Sequence, residues 1–423
     1  MLPSFKEILA YGHQLSEKKA VKQTGLLFSA QIAIIFIGYF IKAIQTRTLG
    51  AEDYGLYAFF GTLTSLLVIF FNFGIYPSIQ VLIAEQKEKL AERRLIGIGI
   101  ILSGLLGLAF SFLLIILSFF IDSWFNIVFG DALRIVAVLC SILPFRYLFQ
   151  AVSTGTGNVS WFAYFDLFSK VFFFLFLLLF WWFFEISLVN VMIINMVGFF
   201  IALTLLWKTL NPSFSALKPV WSQLINKVKT YGLNYYWGFV ANLSTFKADA
   251  LFISYFVNTT QLGFYTLASI LCSPMIMLSQ AVASAMFKSF SSRAMIPSKL
   301  LWANFLWLSF CIAFLYLAGD FIVTIIFGAD FSEVAKYLVP VSIAFFFQGM
   351  YQPYNFLAAK SQGKAIRNVS LAEALINISG NILLIAILDY GVMGAIYTSI
   401  FAKMFHYFGM LYYYRLYQRG VKE

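Results

Sequence analysis

The stretch IGIGIILSGLLGLAFSFLLIILSFF, residues 96–120, runs for 25 residues without a charge. At about 1.5 Å rise per residue it exceeds the ~30 Å apolar thickness of a bilayer, so it predicts a membrane-spanning helix. Lys87, Lys89, Arg93 and Arg94 precede it and Asp122 follows it. Eleven further apolar segments lie on either side, at 24–45, 55–84, 131–153, 161–184, 186–208, 230–257, 262–287, 302–327, 335–359, 366–388 and 390–414. Every second connector between them is basic. With the N-terminus in the cytoplasm, the inside connectors hold 21 of the 29 Lys and Arg residues, and the outside connectors hold only Arg47, Arg134 and Lys336. Short basic loops are retained in the cytoplasm, which predicts a multi-pass protein with both termini cytoplasmic.

Composition agrees. With 61% hydrophobic and 11% charged residues and a mean hydropathy of +0.85, the chain lies outside the range of soluble domains. The expected fold class is an all-α membrane protein of about 12 transmembrane helices, with no extramembrane domain of any size. The net charge of +11 sits in short membrane-flanking loops, where topology and anionic lipid explain it, so no nucleic-acid partner is expected. Cys140, Cys272 and Cys311 lie within spans and lack metal or disulfide spacing, so they read as packing residues, with no metal or cofactor expected. No cleavable signal pattern is visible. Phe5, Ile8 and Leu9 share a helical face that would lie along the cytoplasmic surface.

The longest connector, 209–229, contains Pro212 and Pro219 and marks the midpoint. Trp221, Leu224, Ile225 and Val228 follow the i, i+3, i+4, i+7 pattern of an interfacial amphipathic helix. The expected organisation is therefore a six-helix lobe over 1–208, a cytoplasmic linker over 209–229 and a second six-helix lobe over 230–423. The halves echo one another. Asn126-Ile-Val-Phe-Gly130 precedes the fourth span as Thr324-Ile-Ile-Phe-Gly328 precedes the tenth, and Tyr54-Gly-Leu-Tyr-Ala58 matches Leu262-Gly-Phe-Tyr-Thr266. Parallel repeats of this kind place a transport site at the lobe interface.

The segment Arg47-Thr-Leu-Gly-Ala-Glu-Asp-Tyr-Gly-Leu-Tyr57, with Arg47, Gly50, Tyr54 and Gly55 as its structural motif, resembles the signature of Wzx-type O-antigen flippases. These form the polysaccharide-exporter branch of the multidrug/oligosaccharidyl-lipid/polysaccharide (MOP) superfamily. Phe73-Gly-Ile-Tyr-Pro-Ser-Ile-Gln80, Lys247-Ala-Asp249, the Phe-Gly-Asp131 and Phe-Gly-Ala-Asp330 stretches and Ser361-Gln-Gly-Lys364 fit the same pattern, so the resemblance covers nearly the whole chain. It implies a V-shaped, MATE-like pair of six-helix lobes working by alternating access in the bacterial inner membrane. The implied cargo is an undecaprenyl-pyrophosphate-linked oligosaccharide, a repeat unit of O-antigen lipopolysaccharide or capsule, carried to the periplasmic leaflet. It also implies contact with membrane lipids and with polymerase and chain-length proteins of the same pathway. Related lipid II flippases usually carry two further C-terminal spans, and the twelve read here disfavour that assignment.

Eight ionisable residues fall inside spans: Lys42, Arg146, Lys170, Lys247 and Lys403 against Asp166, Asp249 and Glu373. Each costs at least ~2.5 kcal/mol at bilayer depth unless paired or hydrated. The excess of cations suits an anionic pyrophosphate head group, so Lys42, Arg146, Lys247 and Lys403 are the candidate substrate-binding residues. Asp166 and Lys170, at i, i+4, read first as a structural ion pair. Arg146 is set beside Pro144, whose ring frees a carbonyl that an arginine could bind. Asp249, Glu373 and His406 are the coupling and gating candidates, because imidazole titrates near neutral pH and Glu373 could neutralise Lys403. The repeat sets Lys42 and Asp249 at similar depth, which suggests a contact made in one state and broken in another. The coupling ion stays open between a proton and sodium.

Gly99, Ser103, Gly107 and Ser111 form a small-residue ladder that lets helices approach. Phe172, Phe173, Phe174, Trp181 and Trp182 read as lipid-facing surface. Pro77, Pro144, Pro274, Pro340 and Pro353 are sites for bending. Two other readings compete. A MATE-like drug or cation antiporter shares the fold but favours acidic sites. A membrane polysaccharide polymerase or ligase, an enzyme, needs an extended outside loop, and every outside connector here is short. The reading is a transporter and not an enzyme.

Overall fold

The computed structural model describes the backbone of residues 5–420 apart from 87, 159 and 361, and their side chains outside 5–28, 234, 238–247, 285, 288 and 291–292. The expected face of Phe5, Ile8 and Leu9 and the side chain of Lys247 lie outside the described residues. All described regular elements are helices. Phe5–Phe70 is one helical run whose backbone leaves helical geometry at Gly50 (φ 71°, ψ −179°). Glycine takes a positive φ without the cost a Cβ would bring, so Gly50 turns the first span into the second with no loop.

The main helices that follow are Ile75–Glu85, Lys89–Leu117, Leu143–Gly155, Ser160–Phe183, Leu188–Leu210, Leu233–Phe256, Thr259–Cys272, Pro274–Ser292, Ser298–Phe327, Glu333–Met350, Gly363–Asn381 and Gly391–Gly420. Among the described residues seven helices are long and apolar enough to cross a membrane, and two bent pairs raise the number to nine. The bent pairs are Gly130–Ala137 with Leu139–Gly155, at 51°, and Thr259–Cys272 with Pro274–Ser284, at 45°. Pro274 sits at the second break and opens Pro274–Ser292, and Pro144 lies just beyond the first, in the first turn of Leu143–Gly155, where a missing N–H costs nothing. Gly391–Gly420 falls outside the apolar set, with Lys403 and His406 midway along it, and much of Leu233–Phe256 lies outside the described side chains.

Two compact units emerge, one of residues 1–44, 67–122 and 128–238, the other of 45–66, 123–127 and 239–423. In the first, the core gathers Ile79, Leu95, Leu148, Phe149, Val152 and Leu203. The small-residue ladder is its seam: Ser111 Oγ donates to the Ala137 carbonyl at 2.5 Å and Ser103 Oγ to Tyr76 OH at 3.2 Å. A Cβ on Gly107 would strike the Ser141 backbone. Close approach replaces the hydrophobic effect as the source of helix cohesion in lipid.

Two expectations change in this unit. The linker does form a helix, Leu217–Lys227, but it buries Val220 and Leu224 and leaves Trp221 and Ile225 exposed. The inward face is fixed by packing on the core, and the aromatic edge is free for the membrane surface. Lys227 ties the helix to Glu85 at 2.6 Å. In Ser160–Phe183, Trp181 and Trp182 are exposed as expected, whereas Phe173 is 1% exposed, because Phe173 packs inward beside Gly198, a site where a Cβ would crowd it.

In the second unit, Gly391–Gly420 packs along both Gly363–Asn381 and Glu333–Met350, and the latter is flanked by Thr259–Cys272 and Ser298–Phe327. The signature segment belongs here. Tyr54 is fully buried, with its ring edge-on to Phe331 at 5.8 Å, and Phe264 meets the same ring at 5.8 Å. The Arg47 guanidinium donates to the Ile325 carbonyl. The two echoes touch: a Cβ on Gly263 would lie 3.1 Å from Gly55 Cα, and one on Gly55 would collide with the Thr259 backbone. Only glycines permit that distance.

Candidate functional site

The chemistry of the second unit concentrates on two helix faces. On Gly363–Asn381, Glu373, Asn377 and Asn381 recur every four residues and are all buried, forming one polar stripe. On Gly391–Gly420, Ser399, Lys403 and His406 share one face at i, i+4 and i+7, with His406 buried and the other two half-buried. The stripes face each other because Gly380 lacks a side chain. A Cβ there would come within 2.7 Å of Thr398.

Asp249 projects from Leu233–Phe256 between these stripes and is 6% exposed. Its carboxylate accepts four hydrogen bonds: Oδ1 from Asn377 Nδ2 at 3.0 Å and Asn381 Nδ2 at 2.7 Å, Oδ2 from Tyr265 OH at 3.1 Å and Ser399 Oγ at 2.5 Å. Four neutral donors fill the roughly four lone-pair directions of a carboxylate. Lys42, the partner expected for Asp249, belongs to the other compact unit, and all four of these donors come from Asp249's own. Asn381 Oδ1 is buried without a hydrogen-bond partner among the described residues.

One turn along, Glu373 bridges two bases. Lys403 Nζ reaches Oε1 at 2.5 Å and His406 Nδ1 reaches Oε2 at 2.5 Å. The Lys403, Glu373 and His406 side chains are each about one-tenth exposed. His406 also lies against the Tyr351 ring, with centroids 4.1 Å apart. Neutralisation of Lys403 by Glu373 therefore occurs as anticipated, and His406 joins it. Asp249, Glu373, Asn377, Ser399 and Lys403 line a cavity of about 350 Å³, together with Thr62, Tyr265, Thr266, Ser269, Ser273, Phe345 and Gln348.

The first unit holds four of the intramembrane charges, Lys42, Arg146, Asp166 and Lys170. Arg146 grips Asp166 with two parallel hydrogen bonds, Nε to Oδ1 and Nη2 to Oδ2, both 3.0 Å, and lies over the Phe162 ring at 5.2 Å. This corrects two expectations. Asp166 pairs across helices with Arg146 and not along its own helix with Lys170, because the planar guanidinium matches both carboxylate oxygens. Arg146 likewise does not serve a carbonyl freed by Pro144, since that proline begins a helix. Lys170 lies 5.9 Å from the Phe173 ring and shares the electrostatic neighbourhood of Lys42, Arg146 and Asp166. That neighbourhood has three cations to one acid.

Asn377, Asn381, Ser399 and Tyr265 do not emerge from a search for charged residues. The spacing of Asn377 and Asn381 with Glu373 is the signal that marks them.

Among solved structures, similarity is found to an inward-facing multidrug resistance MATE family transporter of the MOP superfamily, with TM-score 0.69 and 13% identity over 94% of this chain and 99% of that one. Lipid II flippase MurJ in an inward closed conformation gives TM-score 0.69 and 16% identity over 92% and 87%. A Vibrio cholerae MATE transporter gives TM-score 0.59 and 12% identity over 95% and 98%. The fold is thus that of MOP superfamily transporters. The sequence further matches the family of polysaccharide biosynthesis proteins over residues 20–297, and the chain belongs to that family. No curated protein sequence matches it.

Proposed function

We propose that the chain is a flippase for an undecaprenyl-pyrophosphate-linked oligosaccharide, an O-antigen or capsule repeat unit, moved from the cytoplasmic to the periplasmic leaflet by alternating access. The observation that carries this reading is the cavity of about 350 Å³ lined by Asp249, Glu373, Asn377, Ser399 and Lys403, in a chain of the polysaccharide biosynthesis family. Buried hydroxyls, amides and charges at bilayer depth are costly, and a polar cargo is what they serve. The cation-rich set Lys42, Arg146 and Lys170 suits the pyrophosphate, with Lys247 as a further contributor, while Lys403 is engaged by Glu373. Asp249, Glu373 and His406 are the coupling groups, and the open acceptor Asn381 Oδ1 beside Asp249 supports a proton or sodium counter-ion.

The protein works in the bacterial inner membrane with both termini cytoplasmic, as the distribution of Lys and Arg supports. It hands its cargo to the polymerase and chain-length proteins of the same pathway. It is a transporter and not an enzyme. Complementation tests the whole reading: the chain is expressed in strains lacking a flippase, a polymerase or a drug exporter. Restored surface polymer in the flippase-null strain is expected. Rescue of only the polymerase-null strain, or drug resistance alone, overturns it.

A further inference from the structure

The wall of the cavity divides chemically. Along one side the charged groups are engaged with each other: Lys403 is held by Glu373 at 2.5 Å, and Asp249 accepts four neutral donors. Along the other, the Thr62, Thr266 and Gln348 side chains make no hydrogen bond with any described residue. Ser273 Oγ donates to the Ile270 carbonyl at 2.8 Å and keeps its lone pairs. Gln348 offers two donors and an acceptor oxygen, and each threonine offers one donor and two lone pairs. Thr62 is 6% exposed. These three residues line the cavity with donors and acceptors that no described residue claims, so a ligand there finds them open.

The ligand chemistry follows by comparing needs. A pyrophosphate needs cations with unclaimed donors, and the lysine here already serves a carboxylate. An organic cation needs a carboxylate with open lone pairs, and those of Asp249 are taken. A neutral polyhydroxyl ring needs alternating donors and acceptors with an apolar surface for its C–H face, which Thr62, Thr266, Gln348 and the Phe345 ring supply. The volume lies near the lower end of the ~300–1,000 Å³ span of small-molecule pockets, so it suits one ring and not a whole repeat unit.

We infer that this cavity is a monosaccharide subsite that takes one uncharged sugar ring of the lipid-linked glycan, while the pyrophosphate is held elsewhere. The inference rests on the flippase reading and adds the location of its sugar specificity. It is tested on the full chain in lipid nanodiscs by native mass spectrometry. The probes are farnesyl pyrophosphate, bare or carrying one residue of glucose, galactose or N-acetylglucosamine.

At least one glycosylated probe is expected to bind about tenfold or more tighter than the bare lipid. Gln348→Leu and Thr266→Val are expected to remove that preference, a change of the size that two hydrogen bonds provide. Should Gln348→Leu alter the gel-filtration profile, Thr266→Val carries the test alone. Equal binding of all four probes, or a preference that neither substitution moves, overturns the subsite and leaves the flippase reading standing. Binding of none of them overturns both.

Discussion

Asn381 donates its side-chain amide to Asp249 at 2.7 Å across 132 residues of sequence, and the distance joins the seventh span to the eleventh. The contact fixes where the carboxylate points, because Asn377, Tyr265 and Ser399 converge on the same two oxygens. Removing the carboxylate leaves four buried donors without an acceptor. Asp249→Ala is expected to lower stability by at least about 3 kcal/mol, read as a fall in melting temperature of the detergent-solubilised protein. Asp249→Asn keeps the shape and two lone pairs and should lose less. Equal melting temperatures for Asp249→Ala and the unmodified protein would contradict the network.

Glu373 and its two bases make a second, sharper case. Breaking a buried ion pair from one side costs about 3–5 kcal/mol, whereas replacing both partners by neutral groups is close to neutral. Lys403→Met alone should therefore be the worse variant, and adding Glu373→Gln should recover most of its melting temperature. A double variant less stable than Lys403→Met would show that the pair is not what Glu373 is for.

In the first unit, Arg146 and Asp166 form a two-pronged pair with side chains 36% and 25% exposed. Solvent screening reduces its worth to the order of 1–2 kcal/mol. A double-mutant cycle with Arg146→Met and Asp166→Asn should give a coupling energy in that range. The same cycle with Lys170→Met and Asp166→Asn should give a smaller value, and the reverse ranking would restore pairing along the helix.

Gly55 offers a test of packing with an internal control. A Cβ there would lie 2.8 Å from Thr260 Cα and closer still to the Thr259 carbonyl, while one at Gly61 would meet nothing within 4 Å. Gly55→Ala is expected to cost about 1–3 kcal/mol, and Gly61→Ala to cost nothing or to stabilise the helix. Fluorescence-detected gel filtration after a temperature series distinguishes them.

These residues also show how far a sequence can be read. The spans and the helical linker follow from hydrophobic runs and their period, which are local properties, whereas the break at Gly50 emerges only in the fold. Glu373 as the partner of Lys403 follows as well, since a buried base needs a buried acid. The partner of Asp166 does not follow. Lys170 is the local choice at i, i+4, but Arg146 reaches it through the packing of two helices, and its planar group wins by geometry. Asn377 and Asn381 escape attention because neutral amides leave no mark on a charge count, although their four-residue spacing from Glu373 sets them on one face. The buried side of the linker helix is likewise decided by the core it meets and not by the period of its own apolar residues.

The four donors that saturate Asp249 have a consequence for divergence. A variant that alters any of them breaks a shared network, so that side of the cavity is held constant by folding. Thr62, Thr266 and Gln348 make no side-chain hydrogen bond to any described residue, so exchanging them breaks no such network. On the sugar-subsite proposal, relatives with different sugars are free to drift at these three positions first, and a new ring needs no rebuilding of the helices around it.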